Sequence, residues 1–145
     1  MSERISKLYP EELKAHNEHP YHFNKVDGVP SLKAYNSICG DRFELYIGVD
    51  RNVITSINFH GFGCAISKAS TSVLAKMLEE KTLDEALRLC NNFLRFISNE
   101  AAPGEPAVDN EFMIFSAIHE FPERQECASL AWSEMRKFLE SKSKK

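Results

Sequence analysis

From Phe43 onward, apolar and polar residues alternate. Phe43, Leu45, Ile47 and Val49 fall on one side, and Glu44, Tyr46 and Gly48 on the other. After Asp50-Arg51-Asn52 a second alternating run follows, with Val53, Thr55, Ile57 and Phe59 set against Ile54, Ser56, Asn58 and His60. A two-residue period on both sides of a short polar turn predicts a β-hairpin. Leu32 to Ser37 is a candidate strand ahead of it. Beyond Gly61-Phe62-Gly63-Cys64 the period lengthens, and Ile66, Ala69, Val73, Leu74, Met77 and Leu78 line one helical face. Thr82-Leu83-Asp84-Glu85 forms a capping box that opens a second helix. Its apolar stripe is Leu83, Ala86, Leu87, Cys90, Leu94 and Ile97.

The flanks are less regular. Ile5 to His16 carries apolar residues at helical spacing, with Pro10 placing a first turn inside the run. Asp27-Gly28-Val29-Pro30 reads as a turn, and Ser98 to Asn110, with Pro103, Gly104 and Pro106, as a loop insertion. Glu111 to His119 predicts a short helix. A last helix runs from about Glu123 to Ser141, turning Cys127, Leu130, Ala131, Met135 and Phe138 inward. The order of elements predicts an α+β domain, a small antiparallel sheet with helices packed on it.

Composition adds boundaries. The chain of 145 residues suits one domain, 1–145, and a hydrophobic fraction of 43% suits a folded core. A formal net charge of −3 argues against a general nucleic-acid binder. No apolar run predicts a membrane span or a signal peptide, so the expected location is cytoplasmic. In that compartment cysteines are expected as free thiols, ligands or nucleophiles.

The four cysteines are Cys39, Cys64, Cys90 and Cys127. Cys90 falls on an apolar helical stripe and reads as core. Cys39, Cys64 and Cys127 stand at junctions between elements, where side chains from distant segments can meet. Cys64 opens a helix, and unpaired N–H groups there favour the thiolate. Asp41 lies two residues beyond Cys39, so in an extended stretch both side chains point one way. Three thiolates and a carboxylate suit tetrahedral zinc, and thiolate-rich sites also hold iron–sulfur clusters. Spacing alone favours three unrelated buried thiols over a shared site, and allows a turn-forming aspartate at Asp41. Arg124 is either a surface charge or a cation near the thiolates. His60 reads as a strand residue, and His16, His19 and His22 straddle a break and do not form a site.

Three segments carry a resemblance. Tyr35-Asn36-Ser37-Ile38-Cys39-Gly40-Asp41 resembles the Asn-Pro-x-Cys-Gly-Asp segment of the IscU/NifU-type iron–sulfur assembly family. Gly61-Phe62-Gly63-Cys64-Ala65-Ile66-Ser67-Lys68-Ala69-Ser70 resembles its second-cysteine motif, and Arg124-Gln125-Glu126-Cys127-Ala128-Ser129-Leu130-Ala131-Trp132 the third-cysteine segment of its SufU branch. The likeness runs over roughly residues 5 to 140. Glu126 stands where IscU-type scaffolds carry histidine, the Leu-Pro-Pro-Val-Lys motif is missing, and the insertion near residues 98–110 is typical of SufU.

The resemblance implies that Cys39, Asp41, Cys64 and Cys127 converge at one exposed end as metal ligands, with Arg124 in support. It implies a pyridoxal-phosphate cysteine desulfurase as partner and downstream iron–sulfur acceptor proteins. The expected activity is zinc-dependent sulfur acceptance, a sulfurtransferase role, with Cys64 or Cys127 attacking a persulfide. The alternative is a scaffold on which a [2Fe–2S] cluster is assembled and passed on.

Overall fold

The computed structural model describes residues 9–36, 40–100 and 110–143. Cys39 and most of the insertion near 98–110 lie outside the described residues. The elements are α1 (Glu11–Glu18), β1 (Ser31–Asn36), β2 (Asp41–Asp50), β3 (Val53–Phe62), α2 (Ala65–Leu78) and α3 (Leu83–Ile97). A 3₁₀ segment (Asn110–Glu120), a 3₁₀ turn (Pro122–Arg124) and α4 (Gln125–Ser143) complete the described chain. The strands form one antiparallel sheet in the order β1-β2-β3, and helices pack on one of its faces. This is the α+β architecture that the pattern predicts.

The β2–β3 hairpin turns through Arg51 and Asn52, which take φ of 52° and 64°. Two successive positive φ values match the right-handed twist of the flanking strands. One irregularity follows. Gly48 pairs with Ser56 and Val49 with Ile54, which leaves Thr55 as an extra residue. The bulge switches faces, so Ile54 is buried together with Ile57 and Phe59, whereas Thr55 is exposed. The strict alternation expected for this strand therefore breaks at Thr55.

Pro10 stands at the N-cap position just before α1, one residue ahead of the first turn expected for it and without a side-chain hydrogen bond. The box predicted at Thr82 is present, with Glu85 N–H donating to Thr82 Oγ1 and Thr82 N–H to Glu85 Oε1. The buried face of α3 is Ala86, Cys90, Phe93, Phe96 and Ile97, while Leu83, Leu87 and Leu94 are only half-buried. The stripe is rotated from the expected one because α3 lies against both α4 and the 3₁₀ segment. Phe93 stacks on Trp132 of α4 at 4.1 Å and meets Phe112 and Phe115 edge-on. The segment expected as a short helix is 3₁₀, kinked at Phe115. Among the described residues no helix is long and apolar enough to cross a membrane.

At the end of the sheet nearest α2, Gly61 has a φ of 147°, and a Cβ there would come within 2.0 Å of the Arg42 carbonyl oxygen. A Cβ at Gly63 would meet Ser67 Oγ at 2.5 Å and the Phe43 ring at 2.6 Å. These two positions let β3 pass close to β2 and turn directly into α2.

Candidate metal and thiol centre

Asp41, Cys64 and Cys127 come from three separate parts of the chain, and one donor atom of each lies within 4.8 Å of the others. Asp41 begins β2, Cys64 caps α2, and Cys127 lies in the first turn of α4. Ser67 N–H donates to Cys64 Sγ at 3.4 Å, so the thiol takes the place usually held by an N-cap oxygen. Asp41 Oδ1 accepts from Cys64 N–H at 3.0 Å and from Ser67 Oγ at 3.0 Å. A carboxylate at a helix N-terminus is favoured by the exposed N–H groups and the dipole. It also fastens β2 to the start of α2.

The other oxygen, Asp41 Oδ2, is buried and has no hydrogen-bond partner among the described residues. Leaving a buried acceptor unsatisfied is costly, and more so if it is charged. Asp41 and Cys127 are 2% and 1% exposed, so the donors converge just beneath the surface. Among the three described donors Cys64 is the one partly open to solvent. The donor set, two thiols and an orphaned carboxylate oxygen, fits a cation such as zinc.

The position of Asp41 has a different cause from the expected one. Gly40 takes a φ of 74°, so the chain is not extended at that residue, and strand alternation does not account for the aim of the carboxylate. The strand start and the Cys64 and Ser67 hydrogen bonds do so instead.

A second link joins the helices that carry the thiols. Ser70 of α2 donates to the Ala128 carbonyl, next to Cys127, and Trp132 Nε1 donates to Ser70 Oγ at 3.0 Å. Ser67 and Ser70 are positioning residues that pattern reading did not single out. Ser67 was accessible to it, being the third residue after a cap. Arg124 ends the 3₁₀ turn three residues before Cys127. Cys90 is fully buried on α3, away from this centre, and burial pushes its thiol pKa up.

The Cys64 thiol is held down to about 6 from an ordinary 9.0. The main cause is a hydrogen bond from Cys127, aided by Ser67 and opposed by burial and the Asp41 charge. In the metal-free protein, alkylation at Cys64 should therefore rise with pH and inflect near 6. Mass spectrometry of iodoacetamide-treated protein across pH tests this, and an inflection near that of free cysteine would show that the hydrogen bonds do not activate the thiol.

The sequence pattern of the NifU-like N terminal domain matches residues 8–128. The chain belongs to that family. Within it, the chain is 29% identical over 136 residues to the iron–sulfur cluster assembly scaffold protein IscU of Streptococcus pyogenes serotype M1, covering 94% of this chain and 85% of that one. It is 25% identical over 134 residues to the zinc-dependent sulfurtransferase SufU of Bacillus subtilis strain 168, covering 92% and 90%. A crystal structure of an iron–sulfur cluster assembly scaffold protein for the SUF system from Fervidobacterium islandicum AW-1 superposes with a TM-score of 0.83 at 26% identity, covering 92% of this chain and 96% of that one. Family membership and fold agree with the resemblance carried by the three cysteine segments, and the chain fits a SufU-type member of the NifU-like family.

Proposed function

We propose that this protein serves iron–sulfur cluster assembly as a zinc-bearing sulfur acceptor of the SufU type. The observation that carries the reading is the meeting of Asp41, Cys64 and Cys127, with Asp41 Oδ2 buried and unpartnered and the Cys64 thiol ready to ionise. Asp41, Cys64 and Cys127 would hold zinc together with Cys39, which joins the set on sequence resemblance alone. Zinc in such a set supplies a positive centre that keeps thiolates deprotonated.

The chemistry of the chain itself is thiolate exchange. A deprotonated Cys64 or Cys127 attacks the terminal sulfur of a persulfide on a pyridoxal-phosphate cysteine desulfurase. A new sulfur–sulfur bond forms on this protein as the donor's sulfur–sulfur bond breaks. The donor cysteine leaves as thiolate, with no net oxidation or reduction. Burial of Cys127 and partial burial of Cys64 protect the product persulfide from solvent. Arg124, close before Cys127 in the chain, adds positive charge for the anionic sulfur. Downstream iron–sulfur acceptor proteins would receive the sulfur or the cluster made from it.

The second reading is a scaffold that assembles a [2Fe–2S] cluster as its cargo. The carboxylate beside two thiols favours it, because an oxygen donor would hold a cluster loosely enough to pass on. One experiment separates the two: metal and sulfide content of protein purified without added metal, then desulfurase stimulation by the same sample. Near-stoichiometric zinc with strong stimulation is the expected result. Iron with labile sulfide, or zinc without stimulation but with efficient cluster reconstitution, would replace the sulfur acceptor by the scaffold.

A further inference from the structure

The sheet face opposite the packed helices carries side chains that the thiol centre does not use. Strand register sets Tyr35 opposite Arg42 and Arg42 opposite Phe62, so one row runs across all three strands. Directly opposed residues of antiparallel strands share a face. The next row is Lys33, Glu44 and His60. Phe62 is 74% exposed and Tyr35 55%, while the Arg42 guanidinium lies over the Tyr35 ring, 5.2 Å from its centroid.

Charge on this face is mostly basic, three cations to one carboxylate. Lys25, Lys33 and Arg42 line a shallow hollow together with Tyr35 and Phe62. Among the described residues none of these three cations is in an ion pair. The acidic member, Glu44, already accepts hydrogen bonds from Ser31 Oγ at 2.9 Å and Tyr46 OH at 3.2 Å. An unpaired basic patch around two exposed aromatics stands out on a chain whose net charge is −3. Solvated aromatic surface beside free cations is the make-up of a docking site for an acidic partner, with charge giving the approach and the ring the anchor.

The row also borders the thiol centre, since Tyr35, Arg42 and Phe62 line one hollow with Asp41. Arg42 follows Asp41 directly, and Phe62 precedes Cys64 by two residues. β2 thus sends the Asp41 side chain inward and the Arg42 side chain outward at successive positions. We infer that Tyr35, Arg42 and Phe62, with Lys33 and Lys25, form the docking surface for an acidic segment of the sulfur donor. An apolar side chain of that segment covers Phe62, and its carboxylates meet the three cations. The inference rests on the sulfur-acceptor reading for the identity of the partner.

The test uses the full chain, the double variant Lys33→Glu/Arg42→Glu, and Phe62→Ser. The probe is the cysteine desulfurase of the same cell. Dissociation constants are measured at low and high salt, alongside the concentration for half-maximal stimulation, metal content and melting temperature. The double variant should bind about tenfold or more weakly and lose its salt sensitivity. Phe62→Ser should weaken binding at both salt concentrations. Maximal stimulation, metal content and melting temperature should stay at the level of the unaltered protein. Unchanged affinity in both variants overturns the docking surface and leaves sulfur acceptance standing. Affinity that falls in the variants, when even the unaltered chain accepts no sulfur, upholds the surface and removes the acceptor role. A desulfurase that does not bind the unaltered chain overturns both.

Discussion

Replacing Cys127 by alanine is expected to abolish stimulation of the desulfurase and to lower zinc content sharply. The substitution removes a donor from the cluster formed with Asp41 and Cys64. It also removes the hydrogen bond that is the main cause of the lowered Cys64 pKa, so less Cys64 is thiolate near neutral pH. The fold should survive, because deleting one buried sulfur atom costs on the order of 1 kcal/mol. Zinc analysis, a desulfurase assay and a thermal melt on one preparation check all three statements. Stimulation at the unaltered level would take Cys127 out of the mechanism.

Trp132→Ala should be the most destabilising single change in the core, at about 3–5 kcal/mol. The indole stacks on Phe93 at 4.1 Å and 13°, and meets Phe112 edge-on at 6.0 Å. Its Nε1 donates to Ser70 Oγ at 3.0 Å, and Ser70 in turn holds the Ala128 carbonyl next to Cys127. Trp132→Phe keeps a ring in the stack and loses the N–H, so it should cost nearer ~1 kcal/mol. Urea unfolding of both variants separates the packing share from the hydrogen-bond share. Equal midpoints for the two would mean that the hydrogen bond, not the stack, carries the stability.

Much of this fold is legible in the chain because the local signals agree with the tertiary solution. The hairpin, the helix after Cys64 and the Thr82 capping box all express strong periods or caps, and each is present. The misses have tertiary causes. A bulge at Thr55 costs the alternation one residue, and both registers of that strand offer apolar side chains. On α3 the leucines suggest one stripe, yet the partners on two sides bury Phe93 and Phe96 instead.

The centre divides in the same manner. Junction positions and the family resemblance point to Asp41, Cys64 and Cys127, and the structure brings these three together. Cys39, the fourth residue of that set, lies outside the described residues. Alternation predicts an orientation for Asp41 that Gly40 cancels through its positive φ. Ser70 carries no local signal, since its role exists only when α2 and α4 lie side by side.

The order in which the donors occur along the chain has a consequence for synthesis. Asp41 and Cys64 emerge from the ribosome well before Cys127, and the hydrogen bonds between Asp41 and the start of α2 need nothing from α4. In the proposed ligand set, three of the four donors, Cys39, Asp41 and Cys64, are therefore made before the fourth. Docking of α4, through Ser70 and Trp132, brings Cys127 to Asp41 and Cys64. If that set holds a metal, full coordination would wait on α4, the last helix to be made.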